Sequence, residues 1–176
     1  MKSYQYKNRK GIKRIAWGSF HQLCKELAEK VSKENIDIVL GITRGGLYPA
    51  TLIAGMLRKE FYPLRITRRR NDIVAYDRPL WKVDVTEEVK DKNVLIVDDI
   101  ADNGETLRLV ACRAQEKGAK TVKTLALITH SWAKPKPDYV SFKSDELIIF
   151  PWDTQIFIQG RWQLHPELKE AVNLQK

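Results

Sequence analysis

The residues best suited to chemistry stand in one short segment, VLIVDDIADNGETL, at positions 94–107. An apolar run ends in Asp98 and Asp99, and a third acid, Asp102, follows. Ionised carboxylates only accept hydrogen bonds, so the first two acids suit the hydroxyl groups of a sugar. The next residues open a helix whose free N–H groups can hold a phosphate; they are Asn103, Gly104, Glu105 and Thr106. The segment therefore predicts a site for a ribose 5-phosphate.

A second turn of chemical interest, TRGG at positions 43–46, follows an earlier apolar run. Its glycines let the backbone approach a ligand closely, and its arginine adds positive charge. Ligands of parallel α/β sheets bind beyond the carboxyl ends of the strands. Since both turns directly follow predicted strands, we expect them to converge on one crevice.

The hydrophobic pattern indicates the elements that must position these turns. Short β-branched runs predict strands, and apolar residues at helical spacing predict helices. The expected strands cover 36–42, 62–66, 93–99, 121–129, 138–142 and 146–150, and the expected helices cover 17–31, 47–59, 106–117 and 167–172. Residues 67–83 carry little regular pattern and predict a mobile loop. The alternation is typical of an α/β fold with a parallel sheet covered on both faces.

Length and composition exclude several classes of protein. The 176 residues correspond to about one domain, and 43% apolar with 30% charged residues excludes a disordered tail. No apolar run approaches the roughly 18 residues of a membrane span, and the basic N-terminus lacks the apolar segment of a secretory signal. Cys24 and Cys112 are far apart, which favours a reducing cytoplasm, and both are expected to be core residues on helix faces.

The charge leaves two classes of partner open. Lysine and arginine number 31 against 22 acids, which gives a net charge of +9. Six basic residues fall in the first 14 positions, and four arginines fall within 65–70. Such a surface attracts either nucleic acid or a small substrate with several phosphates.

Segment 94–107 resembles the motif with which type I phosphoribosyltransferases bind phosphoribosyl pyrophosphate (PRPP), with Asn103 where the family usually has threonine. The TRGG turn resembles the pyrophosphate loop of that family, in which the peptide between Thr43 and Arg44 would be cis. The chain is most similar to the 6-oxopurine branch, especially xanthine-guanine enzymes. The resemblance implies a parallel twisted sheet flanked by helices, with a small C-terminal hood. It implies a single domain over 1–176, whose hood is formed mainly by about 130–165 plus the N-terminal segment.

The resemblance also assigns residues to ligands. PRPP would be bound by Asp98, Asp99, Asp102, Asn103, Gly104, Glu105 and Thr106, with Asp102 as the catalytic residue that accepts a purine proton. The pyrophosphate would be bound by Thr43, Arg44, Gly45, Arg68, Arg69 and Arg161. The purine base would be bound by His130, Leu147, Ile148, Ile149 and Asp153. Mg²⁺ would be held by Asp98, Asp99 and Asp153, partly through ribose hydroxyls or water.

Two base-binding positions depart from the family's pattern. His130 stands where a lysine usually donates to the purine 6-oxygen, and Leu147 stands where the family tends to have an aromatic ring. Neutral histidine can donate or accept a hydrogen bond, so it could serve a 6-oxo or a 6-amino purine. The identity of the base therefore stays open.

These observations predict a purine phosphoribosyltransferase of purine salvage that uses PRPP and Mg²⁺. It would favour a hypoxanthine-, guanine- or xanthine-like base, with adenine as a further candidate, and would release a nucleoside 5′-monophosphate and pyrophosphate. We expect a cytoplasmic homodimer or tetramer without a membrane partner. The alternative is a regulatory protein of the same fold that binds PRPP and nucleic acid, which the net charge of +9 favours. The complete acid set favours the enzyme.

Overall fold

The computed structural model describes residues 9–70, 73–76 and 79–175. These residues form two units. The large unit covers Leu23–Ser144, and the small unit combines Met1–Gln22 with Asp145–Lys176. The small unit draws on the two parts of the chain from which we expected the hood, although residues 130–144 belong to the large unit. The organisation as a single domain stays a prediction.

Strands and helices alternate through much of the described chain. The strands are β1 (Ile12–Arg14), β2 (Ile38–Ile42), β3 (Glu60–Thr67), β4 (Arg69–Arg70), β5 (Ile73–Val74), β6 (Leu80–Val83), β7 (Asn93–Ala101), β8 (Thr121–Thr129), β9 (Tyr139–Lys143), β10 (Leu147–Ile149), β11 (Ile156–Ile158) and β12 (Arg161–Gln163). The helices are α1 (Trp17–Val31), α2 (Leu47–Leu57), α3 (Glu105–Glu116) and α4 (Pro166–Asn173). In the part of the chain that the structure describes, no helix is both long and apolar enough to cross a bilayer.

The central sheet of the large unit is mostly parallel. Among the described residues it contains six strands in the order β6-β3-β2-β7-β8-β9, of which β6 alone runs antiparallel to its neighbour. All of β2 is buried, and so are residues 94–97 of β7. Strands covered on both faces are near-continuous apolar runs, which is why the sequence indicated them. The predicted α/β fold with a parallel sheet flanked by helices is confirmed.

Helices α2 and α3 cover the sheet at the strands that carry the two turns. α2 packs on β2 and β7, and α3 packs on β7 and β8. Leu107 and Val110 of α3 are buried in the same apolar cluster as Leu40 and Ile96 of the sheet. Each turn therefore lies between a buried strand and a packed helix.

The small unit joins segments that are distant in sequence. β1 pairs in parallel with β10, and Leu147 and Ile149 are buried together with Ala171 of α4. β11 and β12 form an antiparallel hairpin, in which Gln159 and Gly160 have positive φ angles of 50° and 76°. Positive φ at both turn residues suits a two-residue hairpin with glycine in the second place.

Two predictions about individual segments are wrong. The stretch 67–83 contains strands, because β4 pairs with β5 and β6 pairs with β3. β6 has only four residues, and the charged Lys82 stands among its apolar residues, so it shows neither the continuous apolar run of a buried strand nor a strict alternation. Cys112 is exposed and not a core residue, whereas Cys24 is buried as expected. β1, β11 and β12 are further strands that the pattern did not predict.

Candidate active site

The two predicted turns meet where the neighbouring strands β2 and β7 end. Two glycines of the TRGG turn make the contact. A β-carbon at Gly45 would lie 1.9 Å from Oδ2 of Asp99, and one at Gly46 would lie 2.6 Å from the carbonyl oxygen of Ile42 and 2.7 Å from that of Val97. The contacts at Gly46 are with backbone atoms, so that position has room only for a residue without a side chain, whereas a side chain at position 45 would displace the carboxyl group of Asp99. The expectation that the two turns converge is confirmed.

Backbone hydrogen bonds hold the TRGG turn. The N–H of Thr43 donates to the carbonyl oxygen of Leu64 (2.9 Å), and the N–H of Leu47 donates to that of Arg44 (3.1 Å). The peptide between Thr43 and Arg44 is cis, as the resemblance implied. Among the described residues, the buried Oγ1 of Thr43 has no hydrogen-bond partner, and Arg44 is exposed. A hydroxyl donor and a guanidinium beside each other suit an anionic ligand.

Asp98 and Asp99 lie side by side at the end of β7. Oδ1 of Asp98 accepts a hydrogen bond from the N–H of Asp99 (3.0 Å), and Oδ1 of Asp99 accepts one from the N–H of Ile100 (2.8 Å). Burial, followed by the negative charge of Asp99, raises the pKa of Asp98 well above its usual value. The pair therefore holds two negative charges with difficulty unless a cation or a hydrogen-bond donor joins it.

The loop that opens α3 already uses one of its N–H groups. Oδ1 of Asn103 accepts a hydrogen bond from the N–H of Glu105 (2.9 Å), which forms an Asx turn around the N-cap residue Gly104. Gly104 has a φ of +83°, and a β-carbon there would lie 2.2 Å from the carbonyl oxygen of Pro135. The N–H of Lys134 donates to the carbonyl oxygen of Asn103 (2.9 Å). Residues 134 and 135 thus fix the loop from one side.

Asp102 lies beside two aromatic rings that follow β8. Its side chain is 35% exposed, and its Oδ1 lies 4.0 Å from Nε2 of His130. The same oxygen accepts a hydrogen bond from Nε1 of Trp132 (3.2 Å), whose ring stacks on that of His130 with centroids 4.7 Å apart. Nδ1 of His130 donates to the carbonyl oxygen of Ser144. Sequence reasoning did not single out Trp132, although it stands just beyond the carboxyl end of a predicted strand, where ligands bind.

The remaining base-binding candidates belong to the small unit. The side chains of Leu147 and Ile149 are buried in its apolar cluster. The N–H of Leu147 donates to Gly11, and the carbonyl oxygen of Ile149 accepts from Ile15. Since alternate residues of a strand direct their backbone groups to opposite edges, Ile148 faces the edge of β10 away from β1.

Asp153 and Arg161 also lie in the small unit, and both are exposed. Asp153 ends a short 3₁₀ turn, Pro151–Asp153. The middle residue of this turn, Trp152, stacks on Phe150 with ring centroids 4.5 Å apart. It also contacts Phe20 edge-on, with ring centroids 5.0 Å apart. The tryptophan therefore packs among other rings of its own unit.

The arginines of segment 68–70 are described only in part. Nε of Arg68 donates to the carbonyl oxygen of Tyr76 (3.3 Å), and the paired strands β4 and β5 follow it. The side chains of Arg69 and Arg70 lie outside the part that the structure describes. The predicted role of Arg68 and Arg69 toward pyrophosphate stays a prediction.

A family profile described as "Phosphoribosyl transferase domain" matches residues 16–160. The chain belongs to this family. The two turns that meet in the structure are the segments in which the sequence analysis predicted the PRPP motif and the pyrophosphate loop of this family. The predictions of a type I phosphoribosyltransferase of the purine branch and of a PRPP-dependent transferase are confirmed.

Individual relatives of this phosphoribosyltransferase agree with the profile. A xanthine-guanine phosphoribosyltransferase from Idiomarina loihiensis is 26% identical over 149 residues, which cover 81% of this chain and 87% of that protein. A crystal structure of a purine phosphoribosyltransferase from Pyrococcus horikoshii superposes with a TM-score of 0.75 at 29% identity, over 84% of this chain and 98% of that one. A xanthine-guanine-hypoxanthine phosphoribosyltransferase from Helicobacter pylori shares the fold with a TM-score of 0.67 at 20% identity, over 82% and 93%.

The acid pair of this phosphoribosyltransferase fits a Mg²⁺ ion that arrives with a phosphorylated substrate. Mg²⁺ keeps several waters and usually binds one or two carboxylates together with substrate phosphates. The described residues contain no group of three or more side chains that could hold a metal by themselves. Asp98 and Asp99 instead offer two adjacent carboxyl groups whose repulsion a cation would relieve. The two carboxyl groups therefore fit a Mg²⁺ ion that is bound together with substrate phosphates.

Proposed function

We propose that the protein transfers the 5-phosphoribosyl group of PRPP to a purine base, with release of a nucleoside 5′-monophosphate and pyrophosphate in purine salvage. The observation that carries the proposal is the contact between the TRGG turn and the acid pair, where Gly45 lies against the carboxyl group of Asp99 and Gly46 lies against the backbone of Val97 and Asp98. A pyrophosphate on the turn would then be bonded through one of its oxygens to C1′ of a ribose on the acids. Hypoxanthine, guanine and xanthine are the favoured bases, and adenine is a further candidate.

In this proposal the TRGG turn holds the leaving group. Arg44, the amide of Gly45 and the hydroxyl of Thr43 bind pyrophosphate oxygens, and Arg68, Arg69 and Arg161 supply further positive charge. Bound Mg²⁺ supplies charge that stabilises the departing pyrophosphate. Asp98 and Asp99 accept hydrogen bonds from the ribose hydroxyls and would hold the ion partly through them or through water. The third predicted ligand, Asp153, forms no group of three with them among the described residues, so its part stays a prediction.

Asp102 accepts the ring proton of the purine in the same proposal. Departure of pyrophosphate builds positive charge at C1′, so the reaction depends mainly on position and electrostatics. Asn103, Gly104, Glu105 and Thr106 hold the 5′-phosphate at the start of α3, where helix N–H groups favour anions. Because the side chain of Asn103 occupies the N–H of Glu105, a phosphate there would have to displace it.

The base would be read by backbone groups of β10 and by His130. The edge of Ile148 that points away from β1 supports this, because no other strand pairs with β10 among the described residues. Leu147 and Ile149 have buried side chains, and their backbone groups face β1, so Ile148 would supply the backbone contact to the base. Asp153 would lie near the purine 2-substituent.

A base panel tests the function. The protein is incubated with PRPP, Mg²⁺ and one of adenine, hypoxanthine, guanine or xanthine, and released pyrophosphate is measured against reactions without base. We expect base-dependent release with at least one 6-oxopurine. No release with any base overturns the proposal. Salt-dependent binding of nucleic acid under the same conditions would then favour the regulatory alternative. Two of the basic N-terminal residues that suggest this alternative, Lys2 and Lys7, lie outside the described residues.

His130→Lys tests the base assignment. A lysine only donates hydrogen bonds, so it favours a 6-oxygen over a 6-amino group. We expect the ratio of kcat/KM for hypoxanthine to that for adenine to rise by about 10- to 100-fold, as a hydrogen bond to a charged group allows. A ratio within twofold of the wild-type value would mean that His130 does not face the purine.

The assembly and location belong to the proposal as well. We expect a homodimer or tetramer, because the family resemblance implies one, and a cytoplasmic enzyme, because the two cysteines of the sequence are free. Size-exclusion chromatography with light scattering measures the number of subunits.

A further inference from the structure

The segment that follows β8, residues 130–135, lies against the loop that carries Asp102. The N–H of His130 donates to the carbonyl oxygen of Ala101 (3.2 Å), just before that acid, and the N–H of Lys134 donates to that of Asn103 (2.9 Å), just after it. The segment is therefore tied to the loop on both sides of the acid.

Trp132 makes two directional contacts from this segment. Its Nε1 donates to Oδ1 of Asp102 (3.2 Å), and its ring lies nearly parallel to that of His130, with an angle of 14° between the planes. His130 is only 1% exposed, and its Nδ1 donates to the carbonyl oxygen of Ser144. A buried, hydrogen-bonded ring thus supports one face of the indole and fixes the direction of its N–H group.

We propose that Trp132 is a positioning residue for Asp102 in the transfer reaction; this inference rests on the function proposed above. A carboxylate that takes a proton must face it within hydrogen-bond distance. The indole N–H is a donor only, so it can hold Oδ1 of Asp102 but cannot take the proton itself. With Oδ1 directed to Trp132, the second oxygen is the one that turns toward the purine.

The N–H group distinguishes this role from simple packing. Phenylalanine would stack on His130 as a tryptophan does, but it has no donor for a carboxylate. Trp132 is 37% exposed, so water could have satisfied its N–H. The indole is instead oriented with that N–H on the acid that the mechanism uses.

Trp132→Phe tests the role by removing the donor and keeping a ring. We expect kcat with the best base to fall by about 10-fold, because a misdirected catalytic group lowers the rate of the chemical step, while KM for PRPP stays within twofold. Trp162→Phe is the matched control, since Trp162 is 66% exposed in the small unit and has no part in the proposed reaction. Melting temperatures check that both variants fold. A kcat of Trp132→Phe within twofold of the wild-type value overturns the inference.

A second measurement keeps Trp132 in place and needs no turnover. The indole N–H resonance of Trp132 is identified in ¹H–¹⁵N spectra by its absence from Trp132→Phe, or by selective labelling if that variant does not fold. We expect this resonance to shift in Asp102→Ala while that of Trp162 does not move. An unshifted resonance overturns the inference even in an active enzyme. If the wild-type protein uses no base, the proposed function fails and the positioning role fails with it, while the spectra still report the contact.

Discussion

Asp84 lies between two cations, whereas Asp98 lies beside another carboxylate, and both belong to the large unit. Asp84 accepts hydrogen bonds from Nε (2.9 Å) and Nη2 (2.6 Å) of Arg113 and lies 3.2 Å from Nζ of Lys117. The hydrogen bonds from Arg113 are the largest cause that lowers the pKa of Asp84 far below its usual value. Burial and the charge of Asp99 raise the pKa of Asp98.

The contrast separates an acid whose charge the fold stabilises from an acid whose charge the ligand-free fold disfavours. Asp84 and its cations satisfy one another within the protein, so they leave nothing for a substrate. Asp98 is kept in surroundings that disfavour its charge, which a ligand with hydroxyl groups and a cation would correct. Perturbed carboxyl groups of this kind are concentrated at functional sites.

Among the substitutions of acidic residues, Asp102→Ala should have the largest effect, which is a loss of kcat. We expect kcat to fall by about 10²–10³, the usual contribution of a general base, with a much smaller loss of PRPP affinity. Steady-state kinetics with the best base measures both. Asp84→Asn serves as the control with unchanged kcat, and an unchanged kcat in Asp102→Ala would remove that residue from the mechanism.

The double variant Asp98→Asn with Asp99→Asn should weaken PRPP binding. Each change replaces an ionised acceptor of a ribose hydroxyl, so we expect Kd to rise by about 10- to 100-fold. Calorimetric titration with PRPP and Mg²⁺ measures it. Wild-type affinity in this variant would mean that the motif serves the fold and not the ligand.

Asp98→Asn alone should stabilise the ligand-free protein at neutral pH. The protonated acid favours the folded state fully below the usual carboxyl pKa of about 3.9, and this contribution is lost as the pH rises through the raised pKa in the folded state. Asparagine has no charge to bury, so we expect a gain of about 1 kcal/mol at pH 7, a typical size for one substitution. Urea unfolding at pH 4 and pH 7 checks the sign, and an equal difference at both pH values would contradict it.

Asp84→Asn should have the smallest effect. It should lower the free energy of unfolding, whereas Asp98→Asn should raise it. The lowered pKa of Asp84 means that the ionised form stabilises the fold above about pH 3.9, and that this contribution is lost as the pH falls toward the lowered pKa. Because the side chains of Asp84 and Arg113 are 37% and 39% exposed, we expect a loss of only about 0.5–1 kcal/mol at pH 7. Urea unfolding should show this loss shrinking below pH 3, and a stabilised variant would refute the assignment.

The sequence predicted the parts of the site that depend on neighbours along the chain. The apolar run before Asp98 is buried on both faces, so composition alone marks it as a central strand. Glycines at 45, 46 and 104 signalled close approach because few other residues permit it. The parallel order of the strands then brought the two turns together.

Contacts between distant segments were not predictable in the same way. Trp132 donates a hydrogen bond to Asp102, and His130 is buried, because segment 130–135 packs on the loop that carries Asp102. Packing of one loop on another leaves no periodic pattern in the sequence. The same holds for β6, an edge strand with little burial. Leu147 was predicted as a site residue from alignment alone, and the structure adds that its side chain packs in the small unit.

The pairing of β1 with β10 also sets an order of assembly during synthesis. Chains leave the ribosome from the N-terminus, and units fold once all of their elements have emerged. The strands and helices between residues 23 and 144 form one continuous stretch, so the large unit can fold while later residues are still being added. β1 is made before all of them, yet its partner strand is Leu147–Ile149. One of the first strands to be translated is therefore among the last to acquire its hydrogen bonds.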